Sequence, residues 1–185
     1  MADTGIKYPA TKTTQSVNPE DDVNWANPAN IGASDNQYAT VTLGLGQYSY
    51  RLKAQGFDFS AIPDGATIDG ILVEIEKKIN TPGYVCWDYR VQLLDASGAL
   101  VGDNKANVSL NWPTSDTFKS YGGASDKWNA SPTAAMVKGV DFGVVLSARS
   151  AWGTFIAYVD CVRMTIYYTE ATGENHRRGS FLKML

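Results

Sequence analysis

The residues of this chain that could do chemistry are few and scattered. His176 is the sole histidine, and it stands beside Arg177 and Arg178 near the end of the chain. A single imidazole excludes a histidine-clustered zinc site and makes a Ser-His-Asp or Cys-His nucleophile a poor reading. The carboxylates Glu74, Glu76, Asp88, Asp95 and Asp160 come next, because two of them facing a cleft would supply an acid and a nucleophile for glycoside hydrolysis. Glu74 and Glu76, however, alternate with apolar residues and fit the wet face of a strand. Asp160 shares a face with Ile156, Tyr158 and Val162, and reads as a buried or rim carboxylate bound by backbone or arginine ahead of a catalytic acid. Glu20-Asp21-Asp22, Asp35-Asn36 and Asp103-Asn104 offer oxygen ligands, yet no loop has the EF-hand alternation. Gly44-Leu45-Gly46 lacks the following helix that a phosphate loop needs. No catalytic residue, metal or cofactor is expected, and the chain reads as a non-enzyme.

Two other groups of residues point to binding. Trp25, Trp112, Trp128 and Trp152 lie in loops or at strand ends, where an indole can stack on a sugar ring or can pin a long loop to the body of the protein. Trp112 and Trp128 are the candidate glycan-stacking pair. At the C-terminus a polar hinge with Arg177, Arg178 and Gly179 precedes Phe181, Leu182, Met184 and Leu185, four apolar residues among the last five. Such a segment suits docking, on its own domain or on another chain. Cys86 and Cys161 sit inside strand-like runs, outside any CxxC or Cys/His spacing, and read as reduced thiols in or beside a sheet. A bridge between neighbouring strands stays open as the alternative.

The elements that must position these residues are strands. In residues 60–79, Pro63-Asp64-Gly65 makes a turn in which glycine takes the positive φ. Ile71, Val73, Ile75 and Ile79 then occupy one side of a period-2 pattern, with Glu74, Glu76 and Lys78 on the other. Val85, Trp87, Tyr89, Val91 and Leu93 repeat the alternation against Asp88, Arg90 and Gln92, so residues 66–95 read as a hairpin. Further strands are expected over 38–43, 48–54, 99–101, 141–150 and 154–169, with Phe57 and Phe59 turned into the core and one short strand near Thr117-Phe118-Lys119. Ser131-Pro132 opens one or two helical turns that Gly139 ends. About seven or eight strands with irregular connections make an all-β antiparallel sandwich or jelly roll. Residues 1–24, polar and without an amphipathic period, read as an extended N-terminal arm, 25–170 as the sandwich domain and 171–185 as a C-terminal tail.

Size and charge narrow the partners. A chain of 185 residues buries a sufficient core without staples. Its formal net charge of -3 and its pI near 5.1 argue against a nucleic-acid groove. MADTGIKYPATK has no apolar core of signal-peptide length, and no run approaches the roughly eighteen apolar residues of a membrane span. The 17 Gly, 10 Tyr and 5 Trp fit a turn-rich β protein.

Several strings then form a pattern. Trp25, Asn30-Ile31 and Ser34-Asp35-Asn36-Gln37-Tyr38-Ala39-Thr40 are followed by Gly56-Phe57-Asp58-Phe59 and by Ile62 to Ile71. Val101 to Ala106, Tyr121-Gly122-Gly123, Trp128, Phe142-Gly143-Val144, Val159-Asp160 and Tyr167-Tyr168 complete it. Over residues 25–169 the chain resembles a family of small β-sandwich proteins encoded by tailed bacteriophages and prophages. That resemblance implies a virion structural protein with a jelly-roll-like fold, made in the bacterial cytoplasm. The role it implies first is a capsid decoration or cement protein, a homotrimer contacting the major capsid protein or other virion proteins through its arm and tail. A tail, fibre or receptor-binding component comes second, and the loop tryptophans keep a carbohydrate-binding module in view.

Overall fold

The alternating stretches become ten strands in the computed structural model, which describes residues 1–171: β1 (Ala2–Asp3), β2 (Thr11–Gln15), β3 (Ala39–Leu43), β4 (Arg51–Gln55), β5 (Thr67–Ile79), β6 (Val85–Leu94), β7 (Leu100–Val101), β8 (Thr117–Gly123), β9 (Gly143–Trp152) and β10 (Phe155–Thr169). They form two antiparallel five-stranded sheets, as a β-sandwich requires. One has the order β1-β10-β5-β8, with β3 on the same flank of β10 as β1; the other has the order β2-β4-β9-β6-β7. We call them the β10 sheet and the β9 sheet. Ile71, Val73, Ile75 and Ile79 of β5 face Val91, Leu93, Val144 and Leu146 across a shared core. The Pro63 turn forms as its residues dictate, with Ala66 N donating to Pro63 O at 3.1 Å and Gly65 at φ +79°. Phe57 and Phe59 are both buried, the second edge-on to Phe142 at 6.1 Å between centroids.

Residues 66–95 are not a hairpin. β5 pairs with β10 and β8, β6 pairs with β9 and β7, and the connection between them crosses from one sheet to the other. Both strands have a longer edge partner elsewhere, and each buries its apolar face against the opposite sheet. The predicted phase of β6 also changes. Asp88 lies opposite Ala148 and Arg90 opposite Ser147, so Tyr89 is an extra residue in a bulge. Before it Cys86 and Asp88 point inward and Trp87 outward; after it Val91 and Leu93 point inward. β10 has the same device at Asp160, where the buried set changes from Phe155, Ala157 and Val159 to Val162, Met164 and Ile166. The short helix Ala134–Val137 is capped by Thr133, whose Oγ1 accepts from Met136 N at 3.1 Å, two residues later than the Ser131 cap expected.

Residue 24 marks no edge of the sandwich. Ala2 and Asp3 pair with Tyr168 and Tyr167, Lys7 bridges to Met164, and Thr11–Gln15 pair with β4. The N-terminal segment thus lies along β10 and then crosses to close the β9 sheet, covering an edge in each. Its strand TKTTQ alternates only between exposed and half-buried, so it carries no apolar period to read.

Removing residues 1–15 uncovers both edges. Ladder hydrogen bonds net about 1 kcal/mol each before the ordering entropy they offset. We expect the truncated chain to lose roughly 2–3 kcal/mol in urea unfolding and to self-associate in light scattering. A monodisperse truncation with an unchanged midpoint would show these residues to be an appendage.

Candidate functional site

The one charged side chain on the inner face of β5 is Lys77. It is buried on the strand face it shares with Ile75 and Ile79, and its ammonium pairs with Asp88 on the inner face of β6. Asp88 also accepts from Trp112 Nε1 at 2.8 Å, from Tyr121 OH at 2.7 Å and, at 3.4 Å, from Asn107 N. Lys77 Nζ lies 4.4 Å from the Trp112 ring centroid and also donates to Tyr121 OH. Burial pushes the Lys77 ammonium down, and burial together with the Asp88 charge pushes the Tyr121 phenol well up. Each Asp88 oxygen already has two donors, which leaves the carboxylate no free lone pair for acid–base work. The recess over the pair, bounded by Trp112, Leu110 and Lys119, has a volume of about 80 Å³. Ligand pockets start near 300 Å³, so this one admits water and little else.

The candidate stacking tryptophans are used elsewhere. Trp112 is 2% exposed and Trp128 0%, so neither indole offers a face to a sugar. Trp128 Nε1 donates to Ile71 O at 2.9 Å and Trp25 Nε1 to Tyr50 O at 2.8 Å, which pins their loops to the sheets. Arg177, Arg178, Phe181, Leu182, Met184 and Leu185 lie outside the described residues. Cys86 and Cys161 are free, buried and in different sheets; burial pushes the first thiol well up and the second to about 12.

The carboxylates separate into distinct environments. Glu74 is held by Arg163 through Nε at 2.9 Å and Nη2 at 3.1 Å. Glu76, expected on a wet face, is 9% exposed because the loop around Pro28–Ile31 covers that side of the β10 sheet, where Gly32 bridges to Cys161. Asp160 is 1% exposed; its Oδ2 accepts from Asn36 N at 3.2 Å, and its Oδ1, like Glu76 Oε2, has no partner among the described residues. Burial pushes the Asp160 carboxyl up, the Glu76 charge adds to this, and the backbone donors of Asn36 and Asp35 offset only part of it. Among the described residues no three Asp, Glu, His or Cys side chains converge as a metal site would need.

The outer face of the β9 sheet is built differently. Part of it is covered by the turn Val17–Glu20, whose buried Glu20 carboxylate accepts from Arg51 Nη2 at 2.9 Å, Arg90 Nε at 2.7 Å and Ser147 Oγ at 2.6 Å. Burial raises this carboxyl, but the bonds from Arg51, Ser147 and Arg90 together outweigh burial and hold it below its ordinary value. Two residues beyond Ser147 on the same face of β9 comes Arg149, whose cross-strand neighbours are Tyr48 on one side and Trp87 on the other. Its guanidinium carbon lies 5.2 Å from the Tyr48 ring centroid, and Tyr48 meets Tyr89 edge-on at 4.6 Å. Trp152, 61% exposed, stands opposite Val85 at the end of the same strand pair. Tyr48, Trp87, Tyr89 and Arg149 are half-buried, so this row joins aromatic surface to a cation in reach of solvent. The period-2 alternation puts Trp87 and Tyr89 on one face with Val91 and Leu93, because the bulge that separates them leaves no mark in the period.

Asp160 generates a pH test. Its native pKa lies above the unfolded value of 3.8, so the native chain keeps a proton that the unfolded chain has lost, and stability falls as pH rises through that window. Asp160→Asn removes this loss. In urea unfolding from pH 3 to 8 the variant should match the parent at the acid end and exceed it above the window. A difference independent of pH would mean that the Asp160 carboxyl titrates alike in the native and unfolded chains, against the upward shift.

No family model matches the chain, and no curated protein matches it. Among solved structures it is similar to the CBM35 of Paenibacillus barcinonensis, a carbohydrate-binding module, at 13% identity over 92% of this chain and 100% of that one, with a TM-score of 0.34. At that score the likeness carries no argument about function, and the β-sandwich rests on the two sheets themselves.

Proposed function

We propose that this protein is a non-enzymatic surface-recognition component of a tailed-phage virion, binding through the outer face of its β9 sheet. The observation that carries the proposal is the row Tyr48, Arg149, Trp87 with exposed Trp152, aromatic and cationic surface on and beside the paired strands β6 and β9. Lys77 and Asp88, the charged pair between the sheets, are spent on one another and on Trp112 and Tyr121. The virion setting comes from the resemblance over residues 25–169.

Capsid decoration is the second reading. It draws on that resemblance and on the apolar tail sequence Phe181 to Leu185, with a homotrimer and the major capsid protein as partners. Its other support was a free N-terminal arm, and that segment is laid into both sheets.

The full-length protein should be assayed against bacterial surface polysaccharides and, separately, against purified phage heads. We expect polysaccharide binding that Trp87→Ala weakens at least tenfold, with no change in polymer length. Binding to heads alone would select decoration. Shortening of the polymer would contradict the non-enzymatic reading.

A further inference from the structure

Among the described residues each arginine is paired with a carboxylate, with one exception. Of Arg51, Arg90, Arg149 and Arg163, the first two share Glu20 and the last is held by Glu74. Among the described residues Arg149 has no carboxylate partner, and its Nε is buried with no acceptor. Its two Nη atoms make no hydrogen bond among the described residues and are not enclosed as Nε is, so they form the edge of the guanidinium that meets solvent. Tyr48, at an isolated bridge, and Trp87, on β6, are the cross-strand neighbours of Arg149 on its two sides, and the guanidinium carbon lies 5.2 Å from the Tyr48 ring centroid.

We infer that this row is a binding site for an acidic saccharide, one whose sugar carries a carboxylate. This deepens the surface-recognition reading and rests on it. A planar carboxylate accepts two parallel N–H bonds from the guanidinium fork. The sugar's apolar C–H face then lies on Trp87 or on Tyr48, which Tyr89 buttresses. The local charge suits an anion although the chain as a whole is acidic. Glu20 is neutralised by two arginines, and Asp22, whose Oδ2 accepts from Tyr48 N at 2.7 Å, is the carboxylate hydrogen-bonded to the row. Against Asp22 stand the excess charge of the Arg51–Arg90–Glu20 group and the whole of Arg149. An acidic protein surface would supply the carboxylate without the flat C–H face that the flanking aromatics match.

The test uses the full chain in calorimetric titrations against polygalacturonate, alginate, hyaluronan and polysialic acid, the carboxyl-reduced form of each, and poly-glutamate. The parent should bind at least one carboxylated polymer at least tenfold more tightly than its reduced form and than poly-glutamate. Arg149→Gln should erase that preference, Arg149→Lys should restore part of it, and an unchanged urea midpoint should show that the fold is intact. Equal affinity for reduced and acidic forms, lost in Trp87→Ala but not in Arg149→Gln, would overturn the carboxylate assignment and leave the recognition reading standing. Tighter binding of poly-glutamate would reassign the row to an acidic protein. No binding to any polymer would overturn both the inference and the saccharide form of the recognition reading.

Discussion

The ion pair of Lys77 and Asp88 is the constraint to which the rest of the sandwich conforms. It spans the space between the sheets, with the cation on β5 and the anion on β6, and neither side chain has appreciable exposure. Removing two such charges from water costs several kcal/mol per ion, and only close pairing with full hydrogen bonding repays it. The surroundings are built to that end. Loop 107–113 delivers the Trp112 indole N–H and the Asn107 backbone N–H to Asp88, and β8 delivers the Tyr121 hydroxyl. A pair of this kind fixes register more than it adds net stability. Sliding β5 by one residue would expose Lys77 and turn Glu76 and Lys78 into the core.

Around this interior the two outer faces are unequal. On the β10 sheet, the loop that ends at Tyr38 covers Glu76 and Asp160, while Arg163 holds Glu74 and Lys78 bonds both Tyr38 OH at 2.9 Å and Asp116 at 2.7 Å. On the β9 sheet, Glu20 gathers Arg51, Arg90 and Ser147 under one turn, and the cover ends there. The next outward residue of β9 is Arg149. The same segment that seals the sheet edges therefore also sets the boundary of the open aromatic row.

Much of the sandwich was legible because alternation reports a buried face directly. The Pro63 turn, β5, the two phenylalanines of Gly56-Phe57-Asp58-Phe59 and the run of β9 follow from residue types alone. What escaped has identifiable physical causes. The bulges at Tyr89 and Asp160 shift the phase by one residue without any signature in composition, and the first puts Trp87 on the opposite face from Val91 and Leu93. Lys77 was passed over because a period-2 reading tallies apolar positions and cannot see a buried charge whose partner is on another strand. β2 was hidden by its polarity, since an edge strand gains ladder bonds without burying an apolar face. Pairing of β5 with β6 was inferred from adjacency, while the structure pairs each with a strand distant in sequence. The tryptophans are placed by packing that residue type does not report: Trp112 and Trp128 fill the interior, and Trp87 and Trp152 lie at the surface.

The most direct measurement of this account is a double-mutant cycle on Lys77→Met and Asp88→Asn by urea unfolding. If the pair ties the two sheets, each single substitution leaves an uncompensated buried group and costs about 3–5 kcal/mol, whereas the double substitution costs far less than the sum. Losses that simply add, or single variants as stable as the parent, would show that the two charges do not depend on one another and that the sandwich is held elsewhere.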